Sequence, residues 1–199
     1  MRRARRQRAG YTLVEVMLAV SVLVVGATGF TFLQGASIRS VQNAQEHTVA
    51  LQVLETWIER VRRDNSRWTE AGLVNTANTT YLKAGLALPG QWIKPPPVTD
   101  DGGFQNFAGA DTWGWDKVDG PDVRYCTLLR YQVAHLSTLS GGLVEDALRV
   151  DVMVWRPRPG GTAVSALTLN GGTNCNANPG LLESDQVFKV VNSVVVRWQ

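Results

Sequence analysis

The sequence has no proline before Pro89 and no charged residue from Val16 to Ile38. The first absence removes the strongest helix breaker from the N-terminal region. The second leaves 23 uncharged positions, about 35 Å as a helix, enough to cross a hydrocarbon layer of roughly 30 Å. Cysteine and histidine are scarce as well, with only Cys126, Cys175, His47 and His135. A dense disulfide scaffold is thereby excluded, and no close-spaced ligand pair marks a metal centre. There is no Gly-x-Ser-x-Gly elbow, no His-Glu-x-x-His, no glycine-rich loop ahead of Lys-Ser/Thr, and no cysteine with a nearby histidine base. Neither an enzyme nor a cofactor is expected.

Charge of one sign is missing from most of the chain. The net charge is +3 with 20 basic and 17 acidic residues, but Arg2, Arg3, Arg5, Arg6 and Arg8 all precede Gly10. Without that leader the balance is 15 basic against 17 acidic. No basic cluster with interleaved aromatics remains to track a phosphate backbone, so nucleic acid is not an expected partner. With 44% hydrophobic and 19% charged residues, the composition fits one long apolar element and one folded domain.

What is present begins with RRARRQRAGYTLVEVMLAV. Arginines before the apolar run predict a cytoplasmic N-terminus and an exported body. In a secretory signal peptide the apolar run is shorter and the small residue lies beyond it; here Gly10 comes first. A plain N-terminal anchor satisfies these features, but not Glu15, the only charge between Tyr11 and Ile38. An acid near the start of a spanning helix requires a cationic partner. Cleavage after Gly10 would create one, the α-amine of Tyr11.

A basic leader, Gly10-Tyr11-Thr12-Leu13-Val14-Glu15 and an uninterrupted apolar helix resemble the class III signal of type IV pilins and pseudopilins. The resemblance implies cleavage between Gly10 and Tyr11 by prepilin peptidase, N-methylation of Tyr11, and pairing of Glu15, with Thr12 beside it, to a neighbouring subunit's N-terminus in a filament. The family usually has Phe where Tyr11 stands, and major pilins carry a helix-kinking proline that is absent here. Only Gly26, Gly29 and Gly35 loosen the helix.

Ile38, Val41, Ala44, Leu51, Leu54, Ile58 and Val61 continue the helix as an amphipathic stripe to about Asp64, either lying on a domain or forming a coiled-coil seam. Glu59 and Arg63 are spaced for an i,i+4 pair. The Val-Gly pair, Leu33-Gln34, the Ser-Ile-Arg junction and the Glu-Arg ending are similar to PilV-type minor pilins, with pseudopilins of type II secretion sharing the same N-terminal logic. Beyond the helix, Val123–Val133, Leu148–Trp155 and Val187–Trp198 alternate with period two, and VSALTL adds a shorter run. Three or four antiparallel strands with one apolar face would be covered by the helix. The expected fold is α+β: residues 1–10 a removable leader, 11–38 a membrane and filament-core helix, 39–64 its amphipathic continuation, and 65–199 a β-rich periplasmic head.

Residues 66–121 read as a long irregular region with Pro95-Pro96-Pro97 and Trp92, Trp113 and Trp115, either stapling the loop down or forming a tip-interaction surface. Asp100, Asp101, Asp111, Asp116, Asp119 and Asp122 read as solvated turn residues, since DKVDGPD does not match a calcium loop. His47 and His135, the latter just past a strand, have surface or packing roles. In an exported compartment Cys126 and Cys175 are expected to form one disulfide.

The resemblance implies a minor pilin that primes filament assembly and occupies the pilus tip, supporting adhesion or twitching motility. Its implied partners are prepilin peptidase, other minor pilins, the major pilin, a PilY-type tip adhesin and the inner-membrane assembly platform. It would reside as a single-pass inner-membrane protein with its head in the periplasm before entering the extracellular pilus. The alternatives are a type II secretion pseudopilin and a pilus-borne carbohydrate-binding subunit.

Overall fold

The computed structural model describes residues 11–69, 79–99, 105–118, 120–139, 142–158, 167–169, 172–176, 180, 182 and 187–197. The chain divides into two units, Met1–Gln45 and Glu46–Gln199. Helix α1 (Leu13–Ser66) contributes residues to both.

In the first unit every described residue is exposed. Thr12 starts the helix: its carbonyl accepts from the Glu15 and Val16 amides at 3.1 and 3.3 Å, and its hydroxyl lies 3.4 Å from the Glu15 amide, so two otherwise orphaned donors are met. Three hydroxyls within the apolar stretch are satisfied locally. Ser21 donates to the Met17 carbonyl at 2.8 Å, Thr28 to that of Val25 at 2.9 Å, and Thr31 to that of Thr28 at 2.8 Å. Hydroxyls closed onto the helix backbone in this way are compatible with a non-aqueous setting.

The second unit begins with the rest of α1. Ala50, Val53, Leu54, Trp57, Ile58 and Val61 are buried and join one core with Leu129, Tyr131, Val150, Val152, Val154, Val194 and Val196. From Ala50 to Val61 the stripe therefore packs on the protein's own sheet and is not a coiled-coil seam, whereas Ile38, Val41 and Ala44 in the first unit are exposed. Leu54, Ile58 and Val61 are buried as the spacing places them, but Leu51 is exposed, and Val53 and Trp57 are buried as well. Heptad-like spacing placed Leu51 in the face, but Ala50, Val53 and Trp57 complete it and leave Leu51 at its margin. Glu59 pairs with Arg62 at 2.5 Å, the i,i+3 neighbour.

After α1 a short 3-10 turn (Arg67–Thr69) follows. The region read as irregular contains α2 (Tyr81–Leu86) and the two-residue strands β1 (Trp92–Ile93), β2 (Val98–Thr99), β3 (Gln105–Asn106), β4 (Gly109–Ala110) and β5 (Asp116–Lys117). Elements this short leave no periodic signal. Asp64, buried in the last turn of α1, anchors α2. Its Oδ1 accepts from the Thr80 amide at 2.8 Å, and its Oδ2 from the Tyr81 and Leu82 amides at 2.8 and 3.0 Å.

Two long strands, β6 (Tyr125–Leu139) and β7 (Gly142–Pro157), form a hairpin, and β10 (Val187–Arg197) adds to the far side of β7. The antiparallel sheet has six strands in the order β10-β7-β6-β4-β5, with β1 also on β6. His135 lies within β6 rather than just past a strand, because the hairpin continues through a bulge near Val133 and His135. The short run around VSALTL becomes β8 (Thr168–Leu169), which pairs with β9 (Gly172–Thr173) outside the main sheet.

The sheet also departs from the expectation of one buried face. Met153 and Trp155, on the side of β7 opposite Val152 and Val154, are buried in a second core with Val123, Cys126, Leu128, Leu167, Cys175, Leu182 and Val187. The Cys126–Cys175 disulfide, with Cα atoms 5.2 Å apart and a sequence separation of 49, secures this cover. The expected pairing is thus present.

Candidate assembly motif and exposed tryptophan turn

The N-terminal motif is built by the first turn of α1. Tyr11 is 83% exposed, and Glu15 stands in the first helical turn, where the positive end of the helix dipole favours a carboxylate. Helical spacing places Tyr11, Glu15 and Ala19 on one face, with Val16, Val20 and Leu23 beside them. Large apolar side chains follow in the open, among them Val22, Leu23, Val25, Phe32 and Leu33. A positions-16-to-38 surface of this kind needs lipid or other helices to cover it. Gly10, on the other side of the expected cleavage point, lies outside the described residues.

In the second unit the three expected loop tryptophans have different settings. Trp92 is half-buried, stacks under the Arg130 guanidinium at 4.6 Å and packs on the core beside the disulfide. Trp113 and Trp115 are 75% and 73% exposed. They belong to the β4–β5 hairpin, whose turn is tightly tied. Asp111 Oδ1 accepts from the Trp113 and Trp115 amides at 2.8 and 3.1 Å, and the Asp111 amide donates to the Trp115 carbonyl at 3.0 Å. Between them Gly114 has φ +84°, and a Cβ there would lie 3.3 Å from Val53 Cγ2 of α1. Only glycine combines that dihedral with so close an approach to the helix.

Ion pairs hold the same hairpin. The Arg60 guanidinium, itself stacked on Trp57 at 4.7 Å, donates to both Asp116 oxygens at 3.2 and 2.5 Å. Burial raises the Asp116 pKa, and the hydrogen bond and charge of Arg60 only partly counter it. Asp111 and Asp116 are therefore structural ties, not the solvated turn residues expected; Asp122 is exposed in a turn, while Asp100, Asp101 and Asp119 lie outside the described residues. Among the described residues no group of three or more His, Cys, Asp or Glu side chains is placed to hold a metal. His47 packs its ring edge-on against Phe188 at 5.9 Å.

A polar row that the sequence reading missed crosses the sheet. Trp92, Arg130, Asp151 and Ser193 occupy successive register positions on β1, β6, β7 and β10. Asp151, wholly buried, accepts from Arg130 at 2.7 and 3.0 Å, from Arg149 at 2.8 Å and from the Ser193 hydroxyl at 2.6 Å. Burial opposes its ionisation, but the bonds from Ser193, Arg130 and Arg149 outweigh that and lower its pKa. Period-two alternation assigned Asp151 to an open face; the missing signal was the second cover of the sheet. A further tie, Arg156 to Glu46, also crosses from sheet to helix.

A long N-terminal helix followed by an antiparallel six-stranded sheet is the α+β layout of pilins. Residues 5–31 match the prokaryotic N-terminal methylation motif, so the chain carries the signature of type IV pilins and pseudopilins. That class is structural rather than enzymatic, and its motif implies processing by prepilin peptidase and assembly with other pilins. The apolar helix and the motif together fit a protein anchored in the inner membrane and incorporated into a pilus. No curated protein and no solved structure matches the chain.

Proposed function

We propose that the chain is a minor pilin, similar to the PilV type, that primes filament assembly with other minor pilins and sits at the pilus tip with a PilY-type adhesin. On this reading prepilin peptidase removes residues 1–10 and methylates Tyr11, residues 11–38 enter the filament core, residues 39–64 continue the helix, and the head from residue 65 onward is exported. The observation that carries it is Glu15, one carboxylate in the first turn of α1 ahead of an uncharged and exposed stretch from Val16 to Ile38. Paired with the Tyr11 amine of a neighbouring subunit, it sets axial register, because a misplaced subunit leaves the carboxylate alone in apolar surroundings.

The test is Glu15→Ala in a strain deleted for this protein and for related minor pilins. For a plain anchor, removal of the charge favours insertion. For a filament subunit, the neighbouring amine loses its counter-charge in an apolar setting, which costs about 3 to 5 kcal/mol. We predict a cleaved and inserted variant that fails to restore pili. Wild-type pilus numbers from that variant would refute the proposal.

A second reading, attachment to a surface carbohydrate, is favoured by one observation: Trp113 and Trp115 are bare yet held by a rigid turn. Rigid aromatic faces bind with little ordering cost. Trp113→Ala with Trp115→Ala separates the readings. Normal pili with lost attachment indicate binding, and loss of pili indicates assembly.

A further inference from the structure

Strand β10 is the edge of the sheet. It pairs with β7 along Val187–Arg197 and, among the described residues, with no strand on its other side; at its end the Asn65 side-chain amide donates to the Arg197 carbonyl at 3.1 Å. An open edge presents unpaired N–H and C=O groups to any extended chain, and folded proteins guard such edges with charges along the strand, prolines, bulges or a covering segment. Here the charges, Lys189 and Arg197, stand only near the two ends of the strand, and no described segment covers the stretch between them. From Val190 to Val196 the sequence VVNSVVV contains no charge, proline or glycine, and its register against β7 runs without a bulge. Such a segment is of the kind that recruits another strand.

The side chains state what kind of strand fits. Lys189, Val191, Ser193, Val195 and Arg197 alternate along one exposed face, with Val191 and Val195 47% and 53% exposed. A cation thus stands at each end of an uncharged stretch. Lys189 donates to the Leu182 carbonyl at 3.1 Å, which does not neutralise it, and neither Lys189 nor Arg197 has a carboxylate partner among the described residues. A second copy of this edge is a poor match. Antiparallel pairing centred on Ser193 sets Lys189 opposite Arg197 at both ends, and parallel pairing in register sets Lys189 opposite Lys189. Like charges directly across a ladder destabilise it.

We propose that the outer edge of β10 accepts an extended segment of a different protein as a seventh strand, one with uncharged β-prone residues between two acidic residues eight positions apart. Backbone pairing supplies the attachment, and the two end charges set its register.

The experiment uses the full chain in detergent with two labelled nine-residue peptides, capped at both ends. One is Glu-Thr-Val-Thr-Val-Thr-Val-Thr-Glu; the other has Lys in place of both Glu. The acidic peptide is expected to bind at least tenfold more tightly by fluorescence anisotropy. It is also expected to slow hydrogen exchange at alternate amides within residues 187–197. In the double variant Lys189→Glu, Arg197→Glu, whose changes lie at exposed positions, the preference is expected to reverse. Absence of binding, equal affinity for both peptides, an unchanged preference in the double variant, or protection outside β10 would each overturn the proposal. So would concentration-dependent self-association that protects the same amides, since the occupant would then be a second copy.

Discussion

Asp151 and Asp116 show how two carboxylates of the same head take opposite electrostatic roles. Asp151 collects two guanidinium groups and a hydroxyl, so its lowered pKa contributes stability above the ordinary carboxylate range. That contribution is lost as the pH falls through its folded-state value. Asp116 has one guanidinium partner, and burial dominates, so its raised pKa works in the other direction; its term is full in acid and is lost as the pH rises. We predict that Asp151→Asn costs about 1 to 3 kcal/mol at pH 7, a range that allows for the partial exposure of Arg130 and Arg149. Asp116→Asn is expected to cost less. Urea unfolding at pH 7 and again below about pH 4 provides the check: the deficit of Asp151→Asn should shrink in acid, and a deficit that does not change with pH would contradict the assignment.

At the scale of elements, the head depends on how α1 and α2 meet the sheet. Trp57 is almost wholly buried in the main core, whereas Leu51 is 38% exposed. Trp57→Ala is expected to cost about 3 to 5 kcal/mol, and Leu51→Ala less than about 1 kcal/mol; similar costs in chemical denaturation would show the helix face to be wrong. Gly85 makes a second, independent test. A Cβ at Gly85 would overlap the ring of Tyr131, so α2 can lie on β6 only because this residue has no side chain. We predict that Gly85→Ala destabilises the head by about 1 to 3 kcal/mol or more through overpacking, despite alanine's better helix propensity. A stabilised variant in thermal unfolding would rule out that contact.

For the molecule as a whole, the disulfide joins the start of β6 to the segment after β9 and holds the second core over the sheet. Its span of 49 residues corresponds to about 4 kcal/mol in the chain-entropy view. Replacement of Cys126 and Cys175 by Ala is expected to lower the head's stability by roughly that amount, measured by denaturation of the oxidised protein beside the variant. Equal stability would show that the cover holds without the bridge. The first unit makes a different demand, since its apolar helix surface is satisfied only by lipid or other subunits. Filament assembly, on the proposed reading, is the completion of a surface that this chain leaves open.

The N-terminal motif was legible in the sequence because its information is local: Gly10, Tyr11, Thr12 and Glu15 lie within one short stretch, and an uncharged run is visible without any fold. The long helix and the three principal strands were legible for the same reason, since periodicities of 3.6 and 2 report which side of an element is apolar. Periodicity does not report what covers that side. Only tertiary packing decided that Trp57 rather than Leu51 turns inward, that Met153 and Trp155 lie under a second cover, and that Asp151 is buried among arginines. It also divided three similar tryptophans, because Trp92 pairs with β6 and packs beside the disulfide while the turn around Gly114 leaves Trp113 and Trp115 bare. Burial is a property of the space between distant segments, and the order of residues along one segment does not contain it.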